Sequence, residues 1–325
     1  APDGNGGMWA GVQSWSDFGE PQYYVEHYIP NPGSSDLTLL PENSFEIFWE
    51  PSVITYNLSS ANIVGYSFFN HAIGILDTDG LGSMTADALP VSSDMLDQIV
   101  PLYPQPWTDE QKLLLLSSSG NLWGGSVDTF TGAASWWQTQ EASPLMSGSI
   151  IDVAYTGQHL VALNGYDLIV CQTDTLLEDE LPSACKEIKL PGGFMANTIA
   201  VDPAQYGASN QWLLISELYG EDTSVWRYDL SDAEANDPSV GWSVMADVSS
   251  PGELLTHLSI HDGRGWTLDV YQQTHVFAMN SGQSLALDSL PIQPPKPEGM
   301  VAVKQGAYII GDPLQGLQFV QLVCE

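Results

Sequence analysis

The sequence predicts an all-β chain that closes into a β-propeller of six or seven four-stranded blades. Three observations carry this. The apolar runs are short, as in Leu113–Leu116, Leu160–Leu163, Trp212–Ile215 and Ala307–Ile310, the length of buried strands rather than of helices. Gly, Asn, Asp and Ser separate these runs, which is turn chemistry. A unit of apolar strand, tight polar turn and returning apolar strand then recurs along the chain. No such unit can bury both faces alone. Packing successive units in a ring does so, and closure limits exposed sheet edges. Residues 1–325 form a single domain on this reading.

Residues 1–60 are an aromatic-rich segment that completes or decorates the ring, with Trp9, Trp15, Phe18, Tyr23, Tyr24, Tyr28, Phe48 and Trp49 crowded together. The chain ahead of residue 112 has room for two blades, with strands expected near Ser44–Trp49 and Asn62–Phe69. Asp77-Thr78-Asp79-Gly80 sets a tight turn. Val91–Val100 reads as one or two helical turns. Repeating units then open at Lys112, Ser149, Asn197, Thr256 and Glu298, with loops of variable length between them.

Seven Lys and Arg stand against 40 Asp and Glu, a net charge of −33. Charged residues make up only 14% of the chain, against about 25% in an average soluble protein. The acidity therefore comes from missing cations, and uncharged polar residues cover the surface. A chain so poor in cations builds no basic groove, which excludes nucleic acid and anionic membrane surfaces as partners. The apolar runs are far too short to insert into a bilayer. The composition fits a secreted or extracellular protein, periplasmic and cell-surface placement included, and Ala1-Pro2-Asp3 reads as a mature terminus. Cys171 and Cys185 flank a polar stretch between two apolar segments. They form either a disulfide across one hairpin or a pair of buried thiols. Cys324 has no evident partner in the sequence.

Asn197-Thr-Ile-Ala-Val-Asp-Pro203, followed by Ser224-Val-Trp-Arg-Tyr-Asp-Leu230, resembles a blade of the NHL-repeat and gluconolactonase-type propellers, and Pro297-Glu298-Gly299-Met-Val-Ala-Val303 is similar. Separately, Ser126-Val-Asp128-Thr-Phe-Thr131-Gly132-Ala-Ala-Ser-Trp136 resembles the blade signature of quinoprotein propellers. There the Asp and Thr-Gly make the turn and the Trp packs between blades. The first resemblance implies a divalent metal on the central axis, held by residues at the starts of inner strands. The matching positions are Lys112, Ser149, Asn197, Thr256 and Glu298, of which Asn197 and Glu298 offer oxygen ligands to a hard cation.

Other residues offer chemistry of their own. Asp77 and Asp79 resemble part of a calcium loop, and Ca2+ is the one cofactor so acidic a chain suggests. Position 1 of that pattern would fall on Ile75 and position 12 on Ala86. His257, His261, Asp262 and His275 form a second cluster, suited to a transition metal or to acid–base work. However, His257 and His261 lie about 13 Å apart along an extended strand, too far to share one ion. The aromatics Trp9, Trp15, Tyr23, Tyr24 and Trp49 can stack on sugar rings or anchor a protein partner; the alternative is that they pack the N-terminal strands. Trp136-Trp137 reads as one inter-blade Trp with an exposed neighbour. The sequence thus leads to a secreted, non-enzymatic propeller that binds a glycan or protein at one face. The alternative is a hydrolase on the same scaffold, metal-dependent toward lactones or esters, or a carboxylate-pair glycosidase.

Overall fold

A computed structural model describes residues 1–30, 40–47, 50, 52–57, 61–67, 71–77, 83–85, 89, 95–102, 110–129, 131–138, 149–173, 185–202, 211–217, 222–234, 238–245, 250–251, 255–269, 274–281, 284–285, 299–304, 306–310 and 317–321. Seven antiparallel sheets succeed one another along the chain. Blade 1 holds β1 (Met8–Trp15), β2 (Pro21–Ile29) and β3 (Leu40–Ile47). Blade 2 holds β4 (Val53–Asn57), β5 (Asn62–Ser67), β6 (Ala72–Asp77) and β7 (Ser83–Thr85). Blade 3 holds β8 (Leu96–Pro101), β9 (Glu110–Ser117), β10 (Leu122–Asp128) and β11 (Ala134–Gln138). Blade 4 holds β12 (Asp152–Tyr155), β13 (His159–Leu163), β14 (Asp167–Gln172) and β15 (Cys185–Lys189). In blade 5, β16 (Ala196–Val201) and β17 (Trp212–Glu217) are followed by a detour, β18 (Asp222–Thr223), before β19 (Val225–Asp229) and β20 (Trp242–Val244). β18 pairs with β21 (Ser250–Pro251) outside the blade. Blade 6 holds β22 (Leu255–His261), β23 (Arg264–Asp269), β24 (Thr274–Ala278) and β25 (Ser284–Leu285), and blade 7 holds β26 (Gly299–Val303), β27 (Gly306–Ile310) and β28 (Leu317–Gln321). Among the described residues, blades 1 and 7 have three strands rather than the four the sequence predicts.

The core explains why this is a ring. The buried apolar side chains fall into seven clusters, and each straddles two consecutive blades. Trp9, Val25 and Ile47 of blade 1 meet Ile63 and Leu76 of blade 2. The last cluster joins Val303, Tyr308 and Phe319 of blade 7 to Met8 of blade 1. The uninterrupted run Leu113–Leu116 shows the logic on one strand. Leu113 and Leu115 pack toward blade 2, while Leu114 and Leu116 pack toward blade 4. A strand covered on both faces has no reason to alternate with polar residues. The first strand of each blade adjoins that of the next, so β1, β4, β8, β12, β16, β22 and β26 surround the axis.

Three local expectations are corrected. Leu96–Pro101 is the inner strand of blade 3 and not a helical turn. A bulge between Leu96 and Gln98 breaks its alternation, and polar residues on an axial strand imitate an amphipathic helix. Lys112 lies on β9, one strand outward from the axis and opposite Ser126, so that unit is out of phase with those that open at or just before β12, β16, β22 and β26. Trp136 and Trp137 both pack between blades, on opposite faces of β11. Each sits over a glycine of β10: a Cβ on Gly124 would lie 2.0 Å from the Trp137 ring, and one on Gly125 would lie 2.3 Å from that of Trp136. Beside them Asp128 accepts a hydrogen bond from Thr131 N at 2.7 Å, and Gly132 takes a left-handed φ of 75° to complete the turn.

Candidate functional site: the axial cavity

The inner strands enclose a cavity of about 250 Å3. Its walls come from Thr55 and Tyr56 on β4, Gln98–Pro101 on β8, Asp152–Tyr155 on β12, Ile199 and Val201 on β16 and His261 on β22. Pro2 and Gly4 close the side nearest blade 1, because residues 1–3 run antiparallel to the start of β1. Asp3 N donates to Gly7 O at 3.0 Å and Trp9 N to Ala1 O at 2.7 Å. This segment is anchored by the Asp3 carboxylate, which meets His27 Nε2 at 2.8 Å and accepts Asn5 N and Gly7 N at 2.7 and 2.8 Å. Burial pushes the Asp3 carboxyl up, but these bonds outweigh it and hold the group below its ordinary value.

Asp152 is the one carboxylate among the lining residues. It is 5% exposed, and both of its oxygens are filled. Oδ1 accepts Gln98 Nε2 from β8 and its neighbour's amide, Val153 N, at 2.8 Å. Oδ2 accepts Thr198 Oγ1 at 2.9 Å and Ile199 N at 2.7 Å from β16. One side chain thus ties three consecutive inner strands together. Burial raises its carboxyl above the usual carboxylate range, against the pull of the four donors.

His261, at the end of β22, is 6% exposed, and its Nδ1 has no hydrogen-bond partner among the described residues. Burial lowers its imidazole from the ordinary value, while Asp202 and Asp262 act in the opposite direction. The Asp202 carboxylate is itself engaged, accepting Asp262 N and Gly263 N at 3.1 and 2.9 Å. Asp262 and Gly263 have φ of 51° and 70°, the paired positive values of a two-residue I′ hairpin turn. This explains the exposed Asp262 as turn chemistry.

The other anticipated residues that are described do not converge here. His257 stands opposite Leu268, and His275 opposite Thr267. Leu268 and Thr267 alternate along β23, so the two histidines lie on opposite faces of blade 6. Asn197 occupies a bulge of β16 and accepts Ser216 Oγ at 2.8 Å. Asp77 ends β6. Asp79, Glu298 and Trp49 lie outside the described residues. Among the described residues, no three His, Cys, Asp or Glu side chains are grouped so as to hold a metal ion. Cys171 and Cys185 face each other in register on β14 and β15 and form a disulfide.

The aromatic platform is also rearranged. Trp9 is a core residue, 4% exposed, stacked on His27 with ring centroids 4.3 Å apart. Tyr23 packs toward the same cluster, whereas Tyr24, its neighbour on the strand, points to the other face of the sheet. Of the five aromatics only Trp15 is open to solvent among the described residues, at 67%. Phe18 joins it at the tip of the β1–β2 hairpin.

No known protein family matches the sequence, and no curated protein matches it. Solved structures do. Sqt1 of Saccharomyces cerevisiae, a β-propeller protein, superposes with a TM-score of 0.54 at 12% identity, over 96% of this chain and 83% of that one. PorZ of Porphyromonas gingivalis, described as an essential bacterial surface component of the type-IX secretion system, gives 0.51 at 16% identity, over 93% of this chain. This chain spans 36% of PorZ. The computationally designed protein Ika8 gives 0.51 at 9% identity, over 96% of this chain and 83% of its own. At such identities the likeness establishes the β-propeller and nothing finer. Among the described residues no helix is long and apolar enough to cross a membrane.

Proposed function

We propose that this chain is a non-enzymatic propeller that binds a protein ligand on one of its faces, outside the cytoplasm. The observation that carries the reading is the state of Asp152. A lactonase- or glycosidase-type centre on the axis needs carboxylates with open lone pairs facing the cavity. The carboxylate found there uses all of its capacity to hold three strands in register. His261 lies in the same wall, and its Nδ1 makes no hydrogen bond to a carboxylate or hydroxyl among the described residues. The Cys171–Cys185 disulfide supports an oxidising compartment. An NHL-type or quinoprotein-type kinship is the finer reading of the blades, supported by the Asp128–Gly132 turn with Trp136 packed behind it.

A glycan ligand is the second reading, favoured by the solvent-facing indole of Trp15. The test is a hydrolysis screen with aryl esters, γ- and δ-lactones and aryl glycosides, with and without Ca2+. The expected rates equal background, and His261→Ala changes none of them. Turnover that requires Ca2+, or that His261→Ala abolishes, overturns the non-enzymatic reading.

A further inference from the structure

The two strands that open blade 1 are joined by a hairpin turn whose tip is exposed. β1 has 8 residues and β2 has 9, and among the described residues β3 pairs with β2 as far as Tyr23. β1 and β2 stay paired out to Trp15 and Pro21, and residues 16–20 close the hairpin. Gly11, Gln13 and Trp15, successive on one face of β1, are exposed. The tip is not slack. Ser16 N donates to Glu20 O and Gly19 N to Ser16 O, both at 2.9 Å, and Glu20 N donates to Ser16 Oγ at 3.1 Å. Gly19 supplies the left-handed residue, φ 79°. This ordered turn lifts Phe18 into solvent at 94% exposure, with Trp15 behind it. A rigid aromatic on a convex tip is the shape of an anchor that fills a partner's pocket.

Its surroundings identify the chemistry of that pocket. Asp17 and Glu20 flank Phe18, and both are exposed. The first Lys or Arg of the chain is Lys112, so blades 1 and 2 supply none, and the neighbouring Lys304 belongs to the β26–β27 turn of blade 7. The geometry points to an arm that docks into an apolar cleft rimmed by Lys and Arg on a protein partner. The inference rests on the protein-binding reading above and names the site and the partner's character. A second copy of this chain, at −33 and with an equally cation-poor arm, is repelled rather than recruited. A sugar ring would take a flat or concave aromatic platform, and among the described residues Trp9, Trp15, Tyr23 and Tyr24 do not form one, Trp9 being buried and Tyr23 and Tyr24 on opposite faces.

The experiment selects random 12-residue peptides displayed on phage against the intact chain. The enriched sequences are synthesised, and their binding is measured by fluorescence anisotropy at 50 and 300 mM NaCl. The expected peptides are net positive and carry an apolar run. Phe18→Ala weakens them about tenfold or more, and Phe18→Trp retains binding. The double variant Asp17→Asn with Glu20→Gln costs several-fold at low salt and flattens the salt dependence. These side chains are exposed, so the melting temperatures stay unchanged. Neutral or acidic peptides, or basic ones indifferent to Phe18→Ala and Trp15→Ala, overturn the arm as the site and leave the protein-binding reading standing. A glycan array with Trp15-dependent signal and no peptide enrichment overturns both. Concentration-dependent self-association that Phe18→Ala abolishes overturns the choice of partner.

Discussion

Asp152 is a lone acid in the apolar stretch Ile150–Tyr155, and that position is the only sequence sign of its role. Residues at motif positions, Asn197 and Glu298 above all, attract the sequence-based expectation instead. Motifs mark where a family places its ligands; they do not show which carboxylate already has four donors. An amide at residue 152 would set an NH2 group against those same donors. Asp152→Asn is therefore expected to destabilise the fold by about 2–4 kcal/mol, the range for a broken buried polar network. Urea unfolding followed by tryptophan fluorescence measures it. A loss below about 0.5 kcal/mol would show that the carboxylate does not join the strands. The histidines illustrate the converse. Their spacing already disfavours a shared ion, and the register of β22, β23 and β24 shows why: His257 and His275 face different neighbouring blades.

At the scale of the strand and the sheet, most of the plan is legible in the sequence, because short apolar runs bounded by turn residues leave few alternatives. The departures share one cause. β8 carries Asp97 and Gln98 among its apolar residues because it borders both the axis and a neighbouring blade. Reading it as helix shifts the whole blade by one strand and puts Lys112 on the axis. The glycine pair of β10 is equally hard to read, since its meaning lies in what crosses over it. Gly124 and Gly125 are flat seats for Trp137 and Trp136, one on each face. Gly124→Ala forces the Trp137 ring out of its place between blades 3 and 4 and is expected to cost about 2 kcal/mol, as overpacking does. Combining it with Trp137→Ala should recover part of that loss. Thermal melts of the two single variants and the double variant form the cycle that checks it, and strict additivity would contradict the contact.

For the molecule as a whole, charge governs stability more than any single contact. With a net charge of −33, the compact state repels itself, and protons relieve the repulsion. The buried carboxyl of Asp152 contributes in the same direction. Its folded value lies above the unfolded one, so its contribution to stability is fully present below the unfolded value and is lost as pH rises through the folded one. His261 opposes this: its folded value is lowered, so its contribution is present above the ordinary histidine range and is lost as pH falls. One histidine is outweighed by a charge excess of this size. The melting temperature at about 20 mM ionic strength is expected to be equal or higher at pH 5 than at pH 8, and about 0.5 M NaCl should narrow the gap. A chain clearly more stable at pH 8 in low salt would show that local pairings, not overall repulsion, set its stability.

The junction between blades 7 and 1 closes the ring. Its two blades are the farthest apart in sequence, and, as at the other junctions, among the described residues no blade sheet is shared across it. Met8, Val303 and Phe319 pack there, and the Tyr308 hydroxyl meets the carbonyls of Gly6 and Tyr28 at 3.1 and 3.2 Å. The hoop therefore has a clasp. A clasp made of side chains can part while every blade keeps its own ladder, so the circumference can gape at one angular position. The β1–β2 hairpin belongs to the blade beside that position, and whatever grips its tip would bear on the clasp as well.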